Sequence, residues 1–74
     1  MAADLLTETG VDLAHLPPIA TAKEVAALLQ TSEASLAQDR YLGRGIPYIK
    51  HGRLVRYLRA DVARYLAANR SEAR

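Results

Sequence analysis

Apolar residues follow a helical spacing along the middle of the chain, beginning just after residue 20. Thr21 and Glu24 have the T-x-x-E form of a capping box, which predicts that a helix begins at Thr21. Ile19 precedes this cap at a position from which it can pack back as a hydrophobic staple. Val25 and Leu28 then share one face at helical spacing, so we expect a short amphipathic helix.

A second helical segment follows after a polar break at residues 30–32. Ser32 is a good N-cap, and the segment continues to about Leu42, where Gly43 supplies the stop. We place Leu36 on the face that turns toward the core. Two helices joined by so short a turn are typical of a helix-turn-helix.

Residues 48–57 alternate between apolar and polar positions around Gly52, which predicts a β-hairpin. Pairing Ile49 with Val55 on the core face, beside Tyr57, requires an odd-length loop centred on Gly52. This register sends the basic side chains of the strands outward and leaves an arginine at the tip. The hairpin is then either a DNA-binding wing or a solvated sheet edge whose charges prevent aggregation.

The last helical pattern begins at Arg59 or Ala60 and ends near Asn69. The predicted fold is therefore α+β, a small winged helix-turn-helix domain with three helices and a two-stranded hairpin wing. Four residues are expected to hold the helices against the wing: Leu28, Leu36, Val55 and Leu66.

Three regions divide the chain. Residues 1–18 form an acidic leader, residues 19–70 the DNA-binding domain and residues 71–74 a C-terminal tail. The sequence leaves the order of the leader open, because it carries several apolar residues that could dock on the domain: Leu5, Leu6, Val11, Leu13 and Leu16.

Charge is distributed unevenly. Residues 1–39 carry one lysine and six carboxylates, a net charge of −5, whereas residues 40–74 carry nine lysines and arginines and two carboxylates, a net charge of +7. Eight of those nine bases are arginine, whose planar fork matches phosphate oxygens and guanine edges. A polyanion is the partner that this asymmetry favours, and the helix-turn-helix pattern indicates double-stranded DNA.

The candidate DNA-binding residues fall in two groups. Three side chains of the second helix lie on the face opposite Leu36 and also suit an ordinary solvated helix, and two more lie near its end: Ala34, Ser35 and Gln38, then Arg40 and Tyr41. Gln38 can pair with an adenine edge and Ser35 with a base or a phosphate. The loop and wing contribute Arg44, Lys50, His51, Arg53 and Arg56.

Several function classes are disfavoured. The chain has no cysteine, and His15 and His51 have no evident catalytic partner or metal-ligand spacing, so we expect neither an enzyme nor a metal or cofactor. The hydrophobic stretches are too short for a membrane span, and no signal peptide is evident. We expect a cytoplasmic protein with no membrane or small-molecule partner.

Residues 19–66 resemble a known family. The segments ATAKEVAALL, SEASL, RYLGRGIPYIKHGRLVRY and RADVARYL are similar to excisionase-type, MerR-like winged helix-turn-helix proteins, which include phage and actinobacterial excisionases and AlpA-like regulators. The most specific part is Gly45–Tyr57. The resemblance implies that the second helix reads the major groove and that the wing contacts the adjacent minor groove or backbone. It also implies a bacterial or phage-encoded protein that is associated with the nucleoid.

The chain departs from this family pattern at three positions. Gln30 and Thr31 stand where a glycine and an apolar residue are usual in the turn. Asp39 stands where many relatives carry an aromatic residue, and we expect it to pair with Arg40, Arg44 or another nearby base.

Two functions are consistent with these features. The first is an excisionase, or recombination directionality factor, which binds cooperatively in a head-to-tail array, bends attachment-site DNA and promotes excision by a cognate integrase. The second is a small transcriptional regulator that uses the same winged helix at a promoter or operator. The shortness of the chain after the third helix leaves no room for a dedicated dimerisation helix and favours the first.

Overall fold

The computed structural model describes residues 13–71 of the chain. Three helices and a three-stranded antiparallel sheet give the α+β architecture that the sequence predicts. In chain order the elements are β1 (Ile19–Thr21), α1 (Ala22–Leu29), α2 (Glu33–Tyr41), β2 (Ile49–His51), β3 (Leu54–Leu58) and α3 (Arg59–Ala68).

Side-chain caps begin α1 and α2 where the sequence predicts them. Thr21 Oγ1 accepts a hydrogen bond from Glu24 N at 3.1 Å, and Thr21 N donates to Glu24 Oε1 at 2.9 Å, so the capping box is complete. Ser32 Oγ accepts from Ser35 N at 3.0 Å. Each cap satisfies backbone donors that a free helix end would leave unpaired. Gly43, with a φ of +69°, follows α2 and confirms the predicted stop.

The sheet contains a strand that the sequence pattern does not predict. β1 pairs with β3, which lies between β1 and β2. Ala20 lies opposite Tyr57 on the inner face of the sheet, and both residues are buried. Ile19 faces the other side and is 58% exposed, so its predicted role as a staple is wrong. Ala20, which directly precedes the helix cap, occupies the staple position instead.

The register of the hairpin differs from the prediction by one residue. Ile49 pairs with Arg56, and Lys50 pairs with Val55, so the loop has two residues, Gly52 and Arg53. Positive φ falls on Gly52 (+62°) and not on Arg53, the pattern of a type II′ turn, whose twist suits a tight hairpin. The geometry of the two-residue turn therefore sets the register, and the predicted pairing of Ile49 with Val55 does not form.

This register moves side chains between the two faces of the sheet. Opposed residues share a face, so Lys50 lies on the side of Val55 and Tyr57, the side on which the helices pack. The prediction that Lys50 and Arg56 both point outward is therefore wrong for Lys50. Arg56 remains on the outer face, which it shares with Ile49.

The core lies between the inner face of the sheet and the helices. Among the four predicted core residues, Leu36 is buried, while Leu28, Val55 and Leu66 are half-buried and pack against the core. The buried residues are Leu13, Leu16, Ala20, Val25, Ala26, Leu36, Ile46, Tyr57, Val62 and Ala63. Full burial of large side chains such as Tyr57 and Val25 contributes about 1.5–3 kcal/mol each.

The described end of the leader is packed on the domain. Leu13 and Leu16 are core residues, which agrees with the possibility that apolar leader residues dock. Arg59 holds this segment through its backbone N–H, which donates to Pro18 O at 2.9 Å, and its Nη1, which donates to Leu16 O at 2.9 Å. The other apolar leader residues, Leu5, Leu6 and Val11, lie outside the described residues.

Candidate nucleic-acid interface

One face of α2 is open to solvent and carries small or hydrogen-bonding side chains. Leu36 anchors the opposite side of the helix in the core, and Ala34, Ser35 and Gln38 are exposed, as the helical phase predicts. A surface without bulky side chains lets a helix approach base edges in a major groove. The Gln38 amide has the donor and acceptor needed to pair with adenine.

The first turn of α2 is ordered by its own serines. Ser32 Oγ donates to Ser35 Oγ at 3.0 Å and also accepts from the Ser35 backbone. The Ser35 hydroxyl is therefore held at the helix N-terminus, where backbone N–H groups and the helix dipole favour a phosphate. This position suits a phosphate contact at least as well as a base contact.

The end of α2 exposes an aromatic residue. Tyr41 is 87% exposed, and the neighbouring Leu42 is 48% exposed, so the last turn presents an apolar surface beside the polar face. Sequence reasoning included Tyr41 but missed Leu42. Leu42 could have been found from the sequence, because it directly precedes Gly43 and does not lie on the helix face that Leu36 places in the core.

The hairpin carries basic residues at its far end. Lys50 and His51 belong to the edge strand β2, Arg53 occupies the second position of the turn, and all three are exposed. Lys50 lies on the same side of the sheet as the helices, so it can contribute to one surface with α2. Arg56 is half-buried on the outer face, and its Nη1 donates to Val55 O at 2.8 Å. The strand pairing therefore separates Arg56 from Lys50.

Arg44 lies in the loop between α2 and the hairpin and is paired with Asp39. Arg44 Nε is 3.1 Å from Asp39 Oδ1, which agrees with the expectation that Asp39 pairs with a nearby base. The Arg44 backbone N–H also donates to Asp39 O at 2.9 Å. Because the Arg44 side chain remains 66% exposed, the pair lies at the surface and its attraction is weak.

Arg40 differs from the other candidate residues because it turns toward the protein. It is half-buried, and its Nη1 donates to the hydroxyl of Tyr57. Its guanidinium carbon also lies 5.7 Å from the centroid of the Tyr48 ring. Helical spacing could have shown the inward orientation, because Arg40 lies four residues after Leu36 and therefore on the same face of the helix. The contact with the tyrosines could not be predicted, since nothing in the local pattern links residue 40 to residues 48 and 57.

Other kinds of site find no support in the described region. Residues 13–71 contain no group of three or more histidine, aspartate or glutamate side chains that could hold a metal ion. None of the helices in that range is long and apolar enough to cross a membrane.

Two short helices, a tight turn between them and a basic hairpin beside the second helix define a small winged helix-turn-helix DNA-binding protein. The sequence profile of the helix-turn-helix domain family matches residues 21–70, which is more than half of the chain. The chain belongs to this family, and that membership supports sequence-specific binding to double-stranded DNA. Searches of curated proteins and of solved structures found no match.

Proposed function

We propose that this protein is an excisionase, a recombination directionality factor that binds repeated sites cooperatively, bends attachment-site DNA and promotes excision by a cognate integrase. The observation that carries its DNA-binding part is the exposed, small-residue face of α2 beside a hairpin with a basic tip. The excision role draws on the resemblance of residues 19–66 to excisionase-type proteins.

In this proposal α2 reads bases and the hairpin anchors the complex. Gln38 contacts base edges in the major groove, while Lys50, His51 and Arg53 contact phosphates or the adjacent minor groove. Ala34, Ser35 and Tyr41 complete the contact made by α2, and Arg44 adds a phosphate contact from the loop.

Cooperative binding follows from the size and charge of the domain. A single winged helix of this size buries little surface on DNA and has limited affinity by itself. Residues 1–39 have a net charge of −5 and residues 40–74 a net charge of +7, so neighbouring copies can attract each other head to tail along the DNA. Head-to-tail contacts that do not close into a ring extend along a filament, which suits a row of sites.

The first test measures how the affinity depends on salt and on two side chains. The probe is the duplex that the protein selects from a random-sequence library, with a scrambled duplex for comparison. If four to six phosphates are contacted, log K falls with log salt at a slope of about −4 to −5. A slope near zero contradicts the electrostatic argument.

The variants Gln38→Ala and Arg53→Ala then distinguish base recognition by α2 from the DNA-backbone contact made by the hairpin. Gln38→Ala is expected to relax preference at one or two base pairs by about 1–3 kcal/mol. Arg53→Ala is expected to weaken binding to both duplexes evenly and to reduce the salt slope by about 0.9. If both variants bind every sequence like the parent protein, this arrangement on DNA is wrong.

The second test addresses the excision role. Gel shifts on DNA with one, two and three selected sites measure cooperativity and bending, and an in vitro assay measures excision by the integrase of the same mobile element. The proposal predicts cooperative filling, a bend that grows with site number and stimulated excision. Independent filling without a bend or an effect on integrase contradicts it and favours a transcriptional regulator.

A further inference from the structure

The side chain of Arg40 joins the end of α2 to the base of the hairpin. Arg40 lies in the last turn of α2, and its Nη1 donates to the Tyr57 hydroxyl. Tyr57 is a residue of β3 and is only 1% exposed. The contact therefore connects the helix to a part of the sheet that is fixed in the core.

The same guanidinium lies against two aromatic rings. Its carbon is 5.7 Å from the centroid of Tyr48 and 5.9 Å from that of Tyr57, within the range of a cation–π interaction. The two ring centroids are 6.4 Å apart. Tyr48 directly precedes β2, so Arg40 contacts the chain at the start of one hairpin strand and within the other.

These contacts orient the group through which Arg40 would bind a phosphate. One of its five N–H donors is used by the Tyr57 hydroxyl, and two tyrosine ring centroids lie within 6 Å of its carbon, so the protein sets the direction of the guanidinium. Lysine could keep the charge but has no planar fork that satisfies the rings and the hydroxyl together.

We propose that Arg40 is a positioning residue, which fixes the hairpin relative to α2 so that both reach DNA in one register, and that it is not itself a phosphate contact. This inference rests on the proposed DNA-binding function. A protein that binds through two elements loses affinity when their relative position varies. After the first element has bound, the second must still be brought into its binding position, and this ordering costs conformational entropy.

Three variants test the role: Arg40→Met, Arg40→Lys and Tyr57→Phe. Tyr57→Phe keeps the buried ring and removes only the hydroxyl that accepts from Arg40, so it tests the link even if changes at Arg40 impair folding. Arg53→Ala is the control for a lost phosphate contact. Each variant is measured for thermal melting, affinity for the selected and scrambled duplexes, and salt slope.

We expect all three variants to lose about tenfold in affinity for the selected duplex and little for the scrambled one, because the freed hairpin must be ordered relative to α2 on binding. Their salt slopes stay within about 0.3 of the parent value, whereas Arg53→Ala lowers the slope by about 0.9. Combining Arg40→Met with Tyr57→Phe adds no further loss, since both remove the same link.

The opposite pattern overturns the inference. If Arg40→Met lowers the salt slope by about 0.9, Arg40→Lys binds like the parent and Tyr57→Phe has no effect, Arg40 is a phosphate contact. If the parent protein binds neither duplex, the proposed function fails. Residual dipolar couplings of the free protein then still decide whether Tyr57→Phe changes the orientation of the hairpin relative to α2, and an unchanged orientation contradicts the positioning role.

Discussion

Replacing Gln30 by glycine is expected to stabilise the domain. Gln30 ends α1 with φ 57° and ψ 42°, and it is the single non-glycine residue with positive φ among residues 13–71. The Thr31 N–H donates to Ala26 O at 2.9 Å and the Gln30 N–H donates to Ala27 O at 3.2 Å, the two bonds of a Schellman motif, which requires the left-handed conformation at Gln30. The conformation costs an L-residue roughly 1–2 kcal/mol, and glycine avoids that cost.

The net gain is smaller than the strain that is relieved, because glycine also loses more conformational entropy on folding. That loss offsets about 0.4–1 kcal/mol, so we expect Gln30→Gly to raise the free energy of unfolding by roughly 0.5–1 kcal/mol. For a domain of this size, the gain corresponds to about 2–8 °C in Tm, measured by circular dichroism.

Gln30→Ala is the matched control for this measurement. It removes the same exposed side chain but keeps the Cβ that disfavours positive φ, so its Tm is expected to stay near that of the parent protein. A Gln30→Gly protein that melts at or below the temperature of Gln30→Ala would refute the left-handed helix end.

Three further changes test the core, the loop and the surface charge. Leu36→Ala is expected to cost about 2–5 kcal/mol of stability, and unchanged thermal melting would contradict the burial of Leu36. A Cβ on Gly45, whose φ is +91°, would lie 2.9 Å from Asp39 Cβ, so Gly45→Ala should lower the urea midpoint more than Gly43→Ala, where a Cβ meets nothing within 4 Å. Asp39→Asn frees Arg44 and removes a negative charge, so affinity for any duplex should rise roughly 2- to 5-fold at low salt, and a fall in a filter-binding assay contradicts this.

Local signals predicted the helices well, because a cap or a stop is decided by a few adjacent residues. Thr21 and Ser32 both cap helices at the expected positions, and Gly43 ends α2. Residue 30 is a glutamine where the family pattern has a glycine. Gln30 adopts the left-handed conformation that glycine would adopt more easily, so tertiary packing overrides the local preference.

The strand pairing could not be obtained in the same way. β1 has only three residues, too few for an alternating pattern, and it exists because β3 offers a partner distant in sequence. In the hairpin, the apolar pattern favoured Ile49 opposite Val55, but a two-residue turn that begins at Gly52 sets a different register. In this register Ile49 faces outward beside Arg56 and is 40% exposed.

The charge that supports DNA binding shows the same difference between what the sequence pattern indicates and where the fold places the side chains. Nine bases lie in residues 40–74, and a slope of about −8 would follow if each contacted a phosphate. Intramolecular partners reduce that number: Arg40 donates to Tyr57, Arg64 pairs with Asp61, and Arg56 and Arg59 donate to backbone carbonyls. An ion pair with a carboxylate neutralises the charge of the arginine. A hydrogen bond to a backbone carbonyl leaves the charge but occupies one N–H donor. The folded chain is therefore expected to give a slope shallower than −8.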